Sequence, residues 1–377
     1  MKKYSSRTLI CLGLVLTSIC ASLGAVESDA PGHKIEAVIP RVAAPEKQAP
    51  NTNAMIWRFI GPMAGTRGSV VLGHPTDKNV FYHGASGGLW KTPDAGQTWV
   101  PVGDGQFGTS SVGAMEISRS HPEVMYVGMG EPQMRNNVSW GDGVYKSVDG
   151  GETWHHLGLE ETHHIAQIRI HPNNPNLVYV AAYGHAFGPN PERGIYRSRD
   201  GGLSWEQVLF KSETAGAIDL VMNPSNPEVL FASIWEFERK AWGPKTGGAE
   251  SGLWKSSDGG DNWTEITRNK GLPDGRHGRI GLTMSAADPN RVYAIVDSET
   301  QQGLDRSDNV GDSWSFVSAD ANITARPFYF YTILANPANA DHLWIPGNKL
   351  WRSIDGGESW ILEPGIKDDF QDIWIDP

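Results

Sequence analysis

The chain has 377 residues and a net charge of −11 at neutral pH, from 32 Lys plus Arg against 43 Asp plus Glu. That balance argues against nucleic acid or anionic lipid as a partner, since both are held by clustered Lys and Arg. Both cysteines, Cys11 and Cys20, stand near the N-terminus, so the rest of the chain offers no thiol nucleophile and no thiolate metal site.

Residues 1–25 read as an export signal. Lys2, Lys3 and Arg7 make a basic start, an uncharged apolar run covers residues 8–19, and small residues follow at Ala21, Ser22, Gly24 and Ala25. The apolar run is shorter than the roughly 20 residues that a membrane span needs. Lipid anchoring at Cys20 is the weaker alternative, because Ile19 stands where that processing wants a small residue. The expected product is exported, periplasmic or extracellular, with no membrane span in the mature chain. Residues 26–54 scatter Pro31, Pro40, Pro45 and Pro50 among Ala, Glu and Lys without a period, as a flexible spacer does.

From residue 55 to 377 the composition is dominated by a repeat, foreshadowed by 44 Gly and 15 Trp. The pattern Ser/Thr-x-Asp-x-Gly-x-Thr/Ser-Trp first appears at Thr92, Asp94, Gly96, Thr98 and Trp99. It returns around Asp149 and Trp154, Asp200 and Trp205, and Asp258 and Trp263, the last with Asn262 before its Trp. A fifth copy puts Asn309 in the acidic slot before Trp314, and the sixth has Asp355 and Trp360. Upstream of each box comes a short alternating run, such as Gly143-Val144-Tyr145-Lys146, and before that two apolar segments separated by Pro. The unit reads as strand A, Pro-rich turn, strand B, loop, strand C, box, strand D. Four short antiparallel strands in each repeat of this length make a propeller blade, so the fold class is all-β.

The box chemistry suits the turn between strands C and D. Hydroxyl and carboxylate oxygens accept turn N–H groups, Gly supplies the backbone freedom, and Trp buries its ring as strand D begins. Recurrence in every blade favours this structural role over catalysis or calcium binding.

Trp57-Arg58-Phe59-Ile60-Gly61 resembles a strand D without its box, and Asp372-Ile373-Trp374-Ile375-Asp376-Pro377 resembles a strand A and its Pro. The expectation is six full blades plus a partial seventh, in a piece of a longer protein with room for a further C-terminal domain. A six-bladed ring with one extra strand is the alternative.

The boxes point to one face of such a ring, and the B–C and D–A loops point to the other. The long B–C loops fall in the second, third and fourth blades, at residues 128–143, 183–194 and 233–252. They carry Glu131, Arg135, Trp140 and Asp142, then His185, Phe187, Glu192 and Arg193, then Trp235, Glu236, Arg239 and Trp242. The D–A loops add His163, His164, Asp274, Arg276, His277 and Arg279. Aromatics mixed with both charge signs suit a protein, peptide or glycan ligand. The expected contacts are Glu131, Arg135, Trp140, Asp142, His164, His185, Glu192, Arg193, Trp235, Trp242, His277 and Arg279. His163, His164 and His185 are conceivable metal ligands, but neighbouring histidines rarely share an ion, so no metal is expected.

The boxes resemble the Asp-box (BNR) repeat of sialidases, sortilin-type receptors, xyloglucanases and photosystem II assembly propellers. Ile60-Gly61-Pro62, Ser86-Gly87-Gly88-Leu89-Trp90-Lys91, Gly128-Met129-Gly130-Glu131 and Gly278-Arg279-Ile280-Gly281 resemble more closely a group of exported bacterial proteins with a sortilin-type N-terminal propeller. Proteins of that group are often labelled glycosyl hydrolases. The resemblance implies the fold strongly and function weakly. Sialidases open their arginine cluster with Arg-Ile-Pro, where this chain has Phe59-Ile60-Gly61-Pro62. Xyloglucanases place a catalytic Asp shortly before a Gly-Gly, where this chain has Ala85 ahead of Gly87-Gly88. Glu131 and Asp142 are the remaining candidates for the paired carboxylates of glycoside hydrolysis. There is no serine-hydrolase elbow, phosphate-binding loop or His-Glu-x-x-His, and no cofactor is implied. The favoured expectation is therefore a binding or scaffold propeller working through its loop face, with a carbohydrate-active hydrolase as the alternative.

Overall fold

In the computed structural model, residues 67–364 and 369–377 are described. The expected export signal, the spacer and the strand at residues 57–61 lie outside them. The described chain forms six four-stranded antiparallel sheets, each in the order A-B-C-D. The first consists of Gly68–Gly73, Phe81–Ala85, Gly88–Thr92 and Val100–Pro101, and the second of Val112–Ile117, Met125–Met129, Val144–Ser147 and His155–His156. The third runs Ile165–His171, Asn174–Ala182, Gly194–Ser198 and Glu206–Leu209, and the fourth Ala215–Met222, Leu230–Lys240, Gly252–Ser256 and Thr264–Glu265. The fifth is His277–Ser285, Asp288–Ser298, Gly303–Ser307 and Ser315–Ser318, and the sixth Leu334–Asn336, Asn339–Ile345, Trp351–Ser353 and Ile361–Leu362. One 3-10 turn, Glu160–Thr162, is the helical element among the described residues.

Each box closes its own turn, and those of the second to fifth blades are also hydrogen-bonded to the blade before. In the second blade Ser147 Oγ accepts from Gly151 N at 2.8 Å, and Asp149 Oδ1 accepts from Thr153 N at 2.9 Å. Thr153 Oγ1 donates to the other carboxylate oxygen at 2.6 Å. Asn309 reproduces this frame with one bond reversed, its Nδ2 donating to Ser313 Oγ at 2.8 Å. An amide can replace the acid here because the site asks for two polar contacts rather than a charge. From the neighbouring blade, Tyr82 OH and Lys91 Nζ both donate to Gly150 O, at 2.9 and 3.2 Å. Trp154 Nε1 returns a bond to Val102 O at 2.9 Å, and Trp205 Nε1 repeats the device on Leu157 O at 2.8 Å. Trp154 and Trp314 are buried, while Trp99, Trp205, Trp263 and Trp360 are half-buried. Trp314 Nε1 bonds Gly311 O within its own box at 3.1 Å, and the Trp263 and Trp360 indole N–H groups have no partner, so in those blades the fastening rests on ring packing.

The A strands are innermost. Consecutive A strands touch, and residues from all six line one central cavity together with residues 371–375. Inner-strand carboxyls bridge adjacent blades: Asp219 of the fourth accepts from Leu282 N of the fifth at 2.8 Å. Asp372 does the same to Val71 N of the first blade at 3.0 Å, and Trp374 meets the Phe81 ring edge-on at 5.7 Å. Asp219-x-x-x-Asn223-Pro224 and Asp372-x-x-x-Asp376-Pro377 share their spacing, so residues 371–377 occupy the inner-strand position of a partial seventh blade. They differ from the expected strand A in forming no ladder, because no B strand pairs with them among the described residues.

A second departure concerns the fourth blade. Residues 233–252, expected as a loop, hold an extension of strand B that folds back as a hairpin, Leu230–Lys240 against Gly243–Thr246. Phe237 opposite Thr246 and Arg239 opposite Pro244 set its register.

Candidate binding groove on the loop face

The B–C and D–A loops of the second and third blades enclose a groove of about 700 Å³. Thr109, Ser110 and Ser111 come from one D–A loop, and His163 and His164 from the next. Val138, Ser139 and Trp140 enter from one B–C loop, and residues 185–188 from the other. Trp140 is 64% exposed and Phe187 is 57% exposed, so two aromatic faces are presented among hydroxyl groups.

Local backbone geometry places the histidines. Leu159 and His163 flank the Glu160–Thr162 turn, and both have positive φ, 63° and 54°. The reversal sends the two neighbouring rings to different environments: His163 is half-buried in the groove and His164 is buried. The His163 carbonyl accepts from Gly141 N at 2.6 Å. It also backs onto Gly130, whose φ is +90° and where a Cβ would collide with that oxygen. His185 stands on the adjoining loop with its N–H on Asn190 Oδ1 at 2.8 Å. The His163 and His185 rings stack at 3.7 Å, 19° from parallel, and Trp140 approaches His163 at 5.2 Å. Burial and the neighbouring His185 hold His163 below its ordinary value. Burial, with His163 alongside, pushes His164 down to about 3, so it stays neutral inside the fold.

Of the expected ligand contacts, Trp140, His164 and His185 line this groove. His164 does so from a buried position. Arg193 is a brace rather than a rim contact. Its guanidinium is buried and donates to Tyr183 O at 2.9 Å, His185 O at 2.7 Å and Gly188 O at 2.9 Å, shaping the loop that carries His185. Glu192 accepts from Asn190 Nδ2 at 3.2 Å in the same loop. Trp235 is 0% exposed and packs with Met134, Tyr183 and Phe237, so it also leaves the rim. Trp242, seven residues on, is 87% exposed at the hairpin tip. His277 is buried with Nε2 at 3.1 Å from Pro273 O, a loop fastener. Arg279 is buried over the Trp235 ring, and its guanidinium lines the central cavity. These corrections share one cause: residues on a rim loop were read as surface residues, whereas the long loops pack on one another.

The carboxylates fare similarly. Glu131 is fully buried and grips Arg135 in a fork, Oε1 at 2.6 Å from Nε and Oε2 at 2.7 Å from Nη2. Asp142 accepts from Thr109 Oγ1 at 2.9 Å and Tyr145 OH at 2.7 Å. The two are engaged with different partners. Sequence reading missed Thr109, Ser110 and Ser111, whose only signal is a polar Ser/Thr run directly before strand A, and Ser139, which has none.

Six blades in A-B-C-D order, each closed by the same turn and fastened to its neighbour, decide the architecture. The chain is an Asp-box β-propeller. The family described as sortilin, neurotensin receptor 3 (Sortilin-Vps10) matches residues 142–271. A xyloglucanase from Paenibacillus sp is 22% identical over 361 residues, covering 86% of this chain and 33% of that protein. Among solved structures, the GH74 xyloglucanase from Xanthomonas campestris superposes with a TM-score of 0.57 at 17% identity, covering 81% of this chain and 47% of that chain. YCF48 from Cyanidioschyzon merolae gives 0.52 at 15% identity, covering 81% and 87% respectively. The chain thus spans about a third of the length of the first curated relative it matches. No helix among the described residues is long and apolar enough to cross a membrane.

Proposed function

We propose that this propeller is exported and engages a glycan in the groove between its second and third blades. The observation carrying this reading is the exposed Trp140 ring, standing over a groove edged with Thr109, Ser110, Ser111 and Ser139. A flat aromatic face with hydroxyl donors around it suits a sugar ring, whose C–H face packs on indole while its hydroxyls bond outward. The xyloglucanases among the relatives narrow the expected ligand from protein, peptide or glycan towards a β-glucan.

Those same relatives favour a second reading, glycoside hydrolysis, over a plain scaffold. That chemistry needs two carboxyls roughly 5–9.5 Å apart across the scissile bond. Glu131 and Asp142, engaged with Arg135 and with Tyr145 and Thr109, must change partners before either can serve. The protein is to be incubated with xyloglucan and other soluble β-glucans, scoring retention and new reducing ends separately. Saturable retention without products, lost in Trp140→Ala, supports binding. New reducing ends abolished by Glu131→Gln or Asp142→Asn would transfer the reading to the hydrolase. Neither retention nor products from any glycan would refute both.

A further inference from the structure

A gathering of metal-ligating side chains among the described residues lies at this groove, where no metal is expected from the sequence. Glu161, His163 and His185 each offer a ligand atom, and these atoms lie within 4.8 Å of one another. We propose that Glu161, His163 and His185 form a site for a divalent transition-metal ion, with zinc the best match, on the wall of the groove between the second and third blades.

Three observations carry the proposal. The donor set is two imidazoles and a carboxylate, a combination that binds zinc in three-ligand sites with a coordination position left open. The donors come from two loops of different origin, the D–A connection after the second blade and the B–C loop of the third, and both loops are fixed. On the first, His163 is held at φ 54° by its carbonyl contact to Gly141 N. On the second, Arg193 ties the His185 carbonyl at 2.7 Å and Asn190 holds the His185 N–H at 2.8 Å. Preorganised loops spare a metal site much of its ordering cost. Finally, no carboxylate forms an ion pair with either histidine, and the rings instead stack on one another. The two rings face each other across 3.7 Å, and His185 Nε2 rests 3.2 Å from Glu161 O, so the three donor residues are already gathered at one point.

His164, the sequence neighbour, takes no part, because its ring is buried. An ion held by the other two would face the groove beside Trp140, where water or a ligand hydroxyl completes the coordination. The site does not depend on the glycan reading.

The test uses the full chain without a histidine tag, stripped with EDTA, and zinc alone as the probe in competition with a chromophoric chelator. One zinc per chain is expected. His163→Asn and His185→Ala should each weaken binding by about tenfold or more, the scale on which metal sites lose affinity. Asn is chosen at His163 because it tolerates a left-handed backbone. The exposed His121→Ala serves as control and should leave affinity unchanged. Zinc should raise the thermal midpoint of the wild type and leave that of the folded double variant unmoved. No zinc uptake by the wild type, or equal stoichiometry and affinity in the double variant, would overturn the proposal.

Discussion

The two faces of this propeller obey different rules. On the box face, one turn is repeated six times with the same bonds: Ser147 Oγ to Gly151 N and Ser353 Oγ to Gly357 N are both 2.8 Å. On the loop face a backbone bond recurs, from Ser86 N to Arg67 O, Gly130 N to Ser111 O and Tyr183 N to His164 O, but the side-chain contacts differ from blade to blade. Arg193 braces one loop, Glu131 and Arg135 lock another, and a hairpin closes a third. Repetition marks what every blade needs, whereas irregularity marks where one molecule has been specialised. That contrast is the ground for proposing that function lies on the second face.

The most direct way to break this contrast is through two tryptophans of the same hairpin. Trp235→Ala empties a fully buried position in the cluster with Tyr183 and Phe237 and should cost about 3–5 kcal/mol in urea unfolding. Trp242→Ala, at the exposed tip, should stay within about 0.5 kcal/mol. Equal losses would mean that the loop face is not internally packed as described.

Next in size is the box itself. Ser147→Ala strands the buried Gly151 N–H and should cost about 1–3 kcal/mol. Asn309→Asp in the fifth box should change the unfolding midpoint little, since its five sister boxes at Asp94, Asp149, Asp200, Asp258 and Asp355 use the acid in the same frame.

pH separates the two classes of carboxyl more finely. Bonds from Thr153, Ser204 and Asn262 hold Asp149, Asp200 and Asp258 down to about 2. Their contribution is present above the unfolded value near 4 and is lost as pH falls towards 2. Asp305 behaves oppositely. Burial without a hydrogen-bond partner pushes it up to about 7, so the folded state keeps a proton that the unfolded state releases above pH 4. Stability from this group therefore declines from pH 4 to 7 and stays low above. Asp305→Asn should raise the thermal midpoint at pH 8 more than at pH 5. An equal shift at both would contradict the assignment.

The legibility of the sequence follows the same division. A box is a local device: Ser, Asp, Gly and Trp within eight residues make their own turn, so pattern alone finds it. The seventh inner strand position was readable too, because Asp372 and Pro377 keep the spacing of Asp219 and Pro224. The loop face is assembled by contacts between blades. Nothing near Trp235 in sequence announces that Met134 and Tyr183 will cover it, nor that Arg193 will spend its donors on three carbonyls. Likewise, the left-handed backbone at His163, which separates it from His164 and turns it to His185, has no signature in a His-His pair.

The central claim is that the boxes fasten and the groove binds. It is tested most directly by measuring xyloglucan oligosaccharide binding to the wild type, Trp140→Ala and Ser147→Ala by calorimetry at a temperature where all three are folded. The account predicts that Trp140→Ala weakens binding about tenfold with unchanged stability, while Ser147→Ala lowers stability and leaves affinity intact. Full affinity in Trp140→Ala together with lost affinity in folded Ser147→Ala would contradict it.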